Sequence, residues 1–194
     1  MRPAVPGPIR DDECMILGVV LAGGQSTRFG SDKALAELGG RTLLARAVDS
    51  LGGFCEYVVV AGREMAPAPT LPDWPHAGMG PLAGIAAALH LAQDENYEAV
   101  LTCGVDSVDL PENLLELLSP GPAYLADQPV VGLWPVGACA TLERILESDG
   151  RHSMLAFAEA LGARAVKTQS QSVNINTPAD LATYGAEMER RHGL

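Results

Sequence analysis

The chain has 194 residues, of which 47% are hydrophobic, and a formal net charge of −11. This length suits one compact domain with a sizeable core, and the acidity argues against a general nucleic-acid binder, which needs a basic face to release counterions. It leaves room for an anionic small substrate held by a few local cations.

No apolar run reaches the ~20 residues of a membrane span, and the start MRPAVPGPIRDDE lacks the apolar centre of a signal peptide. The expectation is a cytoplasmic protein with a flexible, Pro-rich segment over residues 1–14 and one domain over 15–194.

In chain order, Ile16, Leu17, Val19, Val20 and Leu21 form a nearly continuous apolar run, as in a strand buried on both faces of a parallel sheet. A glycine-rich turn follows, with Gly23 and Gly24 free to bring backbone N–H groups close to a phosphate. Arg28 can fork two donors onto phosphate oxygens, and Lys33 can place a compact charge where pyrophosphate charge develops. The stretch therefore reads as a nucleoside triphosphate loop. It is not a Walker A loop, because Gly30 is followed by Ser31-Asp32-Lys33, and no G-x-G-x-x-G occurs.

Thr42 caps a predicted helix over 42–51 that Gly52-Gly53 stops, and 57–61 is the second strand. A longer loop reaches Gly80, Pro81 suits the first position of a helix, and 99–103 is again strand. Pro111 is expected to open a helix through 118, with Asp109 as its cap. Short strands follow at 124–126 and 130–133, helices at 141–147 and 154–161, and a strand at 163–166. Thr177-Pro178 with Asp180 three residues on starts a last helix to about residue 190. The repetition predicts an α/β domain, mostly parallel, with helices on both faces.

Ligands of an open α/β sheet bind beyond the carboxyl ends of the strands. Asp106 falls three residues after VLTC, where a carboxylate beside a triphosphate can hold Mg2+. Cys14, Cys55, Cys103 and Cys139 are far apart, with no C-x-x-C pair, and read as reduced, mostly buried thiols. His76, His90, His152 and His192 are likewise scattered, none at metal-ligand spacing from another.

The run from Leu21 and Ala22 through Gly23, Gly24, Ser26, Arg28, Phe29 and Gly30 to Asp32 and Lys33 resembles the signature of nucleotidyltransferases, specifically the MobA-type molybdenum cofactor guanylyltransferases. Asp73 ahead of Gly80-Pro81-Leu82-Ala83-Gly84, and Asn174-Ile175-Asn176-Thr177-Pro178, resemble further family motifs. The resemblance spans about residues 17–181. It implies a Rossmann-like nucleotidyltransferase domain that moves GMP from Mg-GTP to molybdenum-bound molybdopterin and releases pyrophosphate.

Leu21, Ala22, Gly23, Gly24, Lys33, Asp73, Gly80 and Asp106 then become the expected nucleotide contacts, Lys33, Arg28 and Asp106 the catalytic set, and Asp106 the Mg2+ ligand. Asp73 could accept hydrogen bonds from guanine N1–H and its amino group. Asn174 and Asn176, alternating on a strand and so pointing to one side, become the pterin-side acceptor contacts. Three departures stand out: Val105 and Val108 replace the flanks of the family's C-D-x-P, and Ala61-Gly62-Arg63 lacks its asparagine. Arg63 reads as a surface arginine able to stand in for that contact, and Arg151 as a candidate for acceptor phosphate.

A cytidylyltransferase of the same cofactor, a sugar-phosphate nucleotidyltransferase and a non-catalytic GTP or pterin binder remain as alternatives. The resemblance also leaves room for transient contact with cofactor-synthesis proteins or molybdoenzyme chaperones, with neither nucleic acid nor membrane as a partner.

Overall fold

The fold, a computed structural model, describes residues 15–23, 29, 32–168, 175 and 177–192. Its elements in chain order are β1 (Ile16–Leu21), β2 (Glu37–Leu38), β3 (Arg41–Thr42), α1 (Leu43–Gly52), β4 (Tyr57–Ala61), β5 (Thr70–Leu71) and α2 (Pro81–Asp94). There follow β6 (Ala99–Gly104), α3 (Leu114–Leu118), β7 (Ala123–Leu125), β8 (Gln128–Pro135), α4 (Cys139–Glu147), α5 (Met154–Ala160), β9 (Arg164–Val166) and α6 (Pro178–His192).

Seven strands make the main sheet in the order β5-β4-β1-β6-β8-β7-β9, while β2 and β3 form a separate hairpin. β1 is central and parallel to β4 and β6, with Leu21 level with both Ala61 and Gly104. β8 runs antiparallel to both β6 and β7. The sheet is therefore parallel on the side that carries the glycine turn and mixed on the other.

Successive residues of β1 feed opposite faces, as the period of a strand demands. Leu17 and Val19 pack with α2, α4 and α5, whereas Ile16 and Val20 pack with α1 and α3. Leu17, Val19 and Val20 are fully buried, and each contributes about 1.5–3 kcal/mol relative to exposure. On the first face Trp134 is also fully buried, donating from Nε1 to Thr102 Oγ1 at 3.1 Å and lying 4.8 Å from the Phe157 ring. A smaller cluster joins Phe29, Leu38 and Leu43 to Ile175 and Tyr184, which docks α6 over the hairpin.

Thr42 caps α1 by accepting from Ala45 N at 3.1 Å. Thr177 and Asp180 form a reciprocal capping box at the start of α6, with bonds of 2.8 and 3.2 Å.

One helix differs from expectation. It begins at Leu114, not Pro111, and Asn113 holds its N-cap position without a side-chain bond, so Asp109 is not its cap. Pro111 instead closes a turn by accepting from Leu114 N, and the seating of Leu114 and Leu118 in the core, both fully buried, sets where the helix starts. The strand pair β2 and β3 and the short β5 carry no sequence signal of their own, since two residues give no period. Cys55 is half-buried and Cys103 and Cys139 are buried, all three unbridged. Burial raises the thiols of Cys55 and Cys103 well above the ordinary range and that of Cys139 to about 11. Among the described residues no helix is long and apolar enough to cross a membrane.

Candidate active site

The three parallel strands β4, β1 and β6 end level with one another, and of the predicted residues Gly23, Lys33, Asp73 and Asp106 lie just beyond them. Gly104 closes β6, and a tight turn in which Ser107 N bonds Gly104 O at 3.2 Å folds Asp106 back over the strand end. The Asp106 carboxylate comes so close that a Cβ on Gly104 would lie 2.5 Å from Oδ1. Ser107 Oγ donates to Gln128 Oε1 at 3.0 Å, tying this turn to the start of β8.

Lys33 arrives from the far end of the glycine-rich turn, at the head of a single 3-10 turn over Lys33–Leu35. Its Nζ donates to Asp106 Oδ2 at 3.0 Å, across 73 residues of chain. The lysine side chain is 10% exposed and the aspartate 25% exposed. An ammonium and a carboxylate thus share one recess, each with donors or lone pairs to spare.

Beside them, Ala22 N bonds Ala61 O at 3.0 Å, which sets Ala22 and Gly23 next to the end of β4. Gly23 and Gly62 meet backbone to backbone: Gly62 has φ of +82°, and a Cβ there would stand 2.5 Å from Gly23 Cα. The Asp73 carboxylate faces the same spot, 3.8 Å from where a Gly23 Cβ would be and 3.6 Å from where a Gly84 Cβ would be. Burial raises the Asp73 carboxyl above its usual range. Gly80, with φ of +73°, precedes Pro81 at the N-terminus of α2 and offers no side-chain cap, while its carbonyl accepts from Ala83 N at 3.3 Å. Leu21 packs its side chain against the position of a Gly84 Cβ, locking α2 to the strand end.

Arg63 is not a free surface arginine. Its guanidinium forks onto Asp32, with Nη1 to Oδ1 at 2.9 Å and Nη2 to Oδ2 at 2.5 Å, and its side chain is 19% exposed. Asp32 in turn caps the Lys33 turn by accepting from Ala34 N at 3.1 Å. The clamp joins the end of β4 to the residue before Lys33. Sequence reasoning missed it, although Asp32 at capping distance from Ala34 was a signal that this aspartate was engaged. Arg63 holds the Asp32 carboxyl below its ordinary range, so the pairing strengthens the fold above the ordinary aspartate pKa and is lost as pH falls through the lowered one. Arg63→Ala is expected to cost about 1 kcal/mol in stability, the upper end for a partly exposed pair with a bidentate fork, and to raise the nucleotide KM several-fold with kcat nearly unchanged, which steady-state kinetics would check.

Arg28, Gly24, Asn174 and Asn176 lie outside the described residues. Arg151 is exposed between α4 and α5.

Residues 18–170 match the family described as MobA-like NTP transferase domain. The chain belongs to that family. A molybdenum cofactor guanylyltransferase of Acidiphilium cryptum (strain JF-5) is 39% identical over 177 residues, covering 84% of this chain and 90% of the relative. Another, of Rhodobacter capsulatus, is 35% identical and covers 86% of this chain and 93% of its own length. Among solved structures, molybdopterin-guanine dinucleotide biosynthesis protein A from Archaeoglobus fulgidus aligns with a TM-score of 0.71 at 23% identity, covering 90% of this chain and 99% of that one. That structural likeness shows the shared fold. As a MobA-like NTP transferase, the chain is a nucleotidyltransferase, and the turn, the carboxylate and the lysine lie inside the matched span.

Proposed function

We propose that the chain moves GMP from GTP onto the terminal phosphate of molybdenum-bound molybdopterin, forming molybdopterin guanine dinucleotide and releasing pyrophosphate. The observation that carries this is the Lys33 to Asp106 contact of 3.0 Å at the ends of β1 and β6, inside a domain whose relatives are named molybdenum cofactor guanylyltransferases.

The acceptor phosphate is ionised at neutral pH and serves as its own nucleophile. One of its oxygens bonds to the α-phosphorus as the bond to the β-phosphate oxygen breaks, and pyrophosphate leaves with that electron pair. No side-chain nucleophile takes part. The chain supplies position and charge: Gly23 and Gly24 cradle the phosphates, Arg28 and Lys33 neutralise charge on the departing group, and Asn174 and Asn176 hold the pterin. Mg2+ fits the donor chemistry here, since Asp106 offers hard carboxylate oxygens held over the end of β6 by the absence of a Cβ on Gly104. Bound there by Asp106, it supplies charge neutralisation at the phosphates.

Asp73 reads guanine, accepting from N1–H and the amino group. Because burial raises its carboxyl, the ionised form needed for reading is lost on acidification earlier than for an ordinary aspartate. The same shift means Asp73 opposes folding as pH rises from the unfolded pKa through the raised one. Asp73→Asn is therefore expected to melt no lower than the parent at neutral pH while losing about tenfold or more of its preference for GTP over CTP. Melting curves with GTP, CTP, ATP and UTP in Mg2+ check both halves, and undiminished GTP preference in the variant removes Asp73 from recognition.

The reaction itself is tested by pyrophosphate release from GTP with and without molybdopterin. Release that requires the acceptor supports the transferase, whereas GTP binding without release, acceptor present, points to a carrier. The proposal carries with it a cytoplasmic reaction and transient contact with cofactor-synthesis proteins or molybdoenzyme chaperones.

A further inference from the structure

We infer that His90 of α2, with Cys139 and Glu143 of α4, forms a binding site for a borderline divalent cation of the Zn2+ kind, separate from the recess around Asp106. Cys139 and Glu143 stand four residues apart at the start of α4, so they share one face of that helix. α2 packs against that face and brings His90 to it. A ring nitrogen of His90, the Cys139 sulfur and a Glu143 oxygen all lie within 4.8 Å of one another.

These donors point to one class of ion. Imidazole, thiolate and carboxylate together suit Zn2+ or Co2+, whereas Mg2+ takes oxygen ligands with near-ideal octahedral geometry and keeps much of its water. Three protein ligands leave a fourth tetrahedral position for water. Closing from 4.8 Å to the ligand spacing of a tetrahedral zinc requires movement of about 1 Å, within reach of side-chain rotation. His90 Nε2 meets Glu143 Oε1 at 2.6 Å in a hydrogen bond, which an ion would replace by taking the shared proton's place and opening the pair to about 3.3 Å.

The site has an inner and an outer side. Cys139 is 2% exposed, while the side chains of His90 and Glu143 are 26% and 36% exposed, which leaves an approach from solvent. Trp74 stands edge-on to the His90 ring at 4.7 Å. Its backbone N–H bonds Ala83 O at 3.1 Å, and it follows Asp73 directly in the chain. A cation would join α2 to α4 and steady the segment from which Asp73 projects.

Titration of the purified full chain with Co2+ alone tests the site. A thiolate-to-cobalt charge-transfer band that saturates at a single equivalent, quenches tryptophan fluorescence through Trp74 and is displaced by Zn2+ is the expected result. Cys139→Ser should abolish the band, Glu143→Gln should weaken Co2+ about tenfold or more, and Asp106→Asn should leave the band unchanged. Absence of the band in the parent, its persistence in Cys139→Ser, or its loss in Asp106→Asn would overturn the inference. If Cys139→Ser fails to fold by circular dichroism, His90→Gln and Glu143→Gln carry the test, and Co2+ affinity unchanged in both overturns it equally.

Discussion

Lys33→Ala is expected to lower kcat for pyrophosphate release by about two to three orders of magnitude, the usual loss when one donor to developing transition-state charge is removed. The Lys33 ammonium sits 3.0 Å from Asp106 in a recess open enough for the aspartate to remain 25% exposed. Removing the cation therefore leaves a carboxylate that water can reach, not a buried orphan, and the penalty on folding stays small. Activity and stability should separate clearly: turnover collapses while the melting temperature moves by a few degrees at most. Lys33→Arg should not restore the rate, because a planar fork cannot replace a compact ammonium in a slot shaped by a 3-10 turn. Turnover at the parental rate in folded Lys33→Ala protein would remove Lys33, and with it the proposed transfer chemistry.

Gly62→Ala should be strongly damaging where the end of β4 meets Gly23. The residue adopts φ of +82°, and its new Cβ would meet Gly23 Cα at 2.5 Å and Gly23 N at 2.6 Å. Both obstacles are backbone, so no rotamer change relieves them. The left-handed conformation costs an alanine about 1–2 kcal/mol, and forced backbone displacement adds about 1–3 kcal/mol. A loss of about 3 kcal/mol should lower the melting temperature by about 10 °C in a chain of this size. It should also push Gly23 away from the end of β4 and weaken GTP binding. Gly162→Ala provides the control: its φ is +62° with nothing within 4 Å of the new Cβ, so it should show only the left-handed cost and bind GTP normally. Equal GTP affinity in both variants would show that the Gly23 and Gly62 contact does not shape the nucleotide site.

Local patterns proved legible wherever they were long or carried a distinctive end. The run around Val19 and Val20, the Thr42 cap, Pro81 at the first position of α2 and the Thr177 with Asp180 box all appear where the sequence places them. The helix expected at Pro111 starts later because the seats of Leu114 and Leu118 lie in a core made by distant strands. The strands expected at 124–126 and 130–133 form as Ala123–Leu125 and Gln128–Pro135, the second running well past its apolar stretch because pairing with β6 extends it.

The amino-acid order alone determined the residue types that the chemistry needs: a glycine turn with Arg28 and Lys33, a carboxylate after the third long strand, and an aspartate before a proline-led helix. It did so because strand period, caps and phosphate loops are local properties of a few consecutive residues. Only the packed sheet decided that Lys33 and Asp106 meet across 73 residues, that Arg63 clamps Asp32, and that His90 faces Cys139 and Glu143. Those contacts depend on which strands lie side by side and which helix faces another. That is set by burial of apolar surface over the whole chain, and no spacing between two residues along the sequence encodes it.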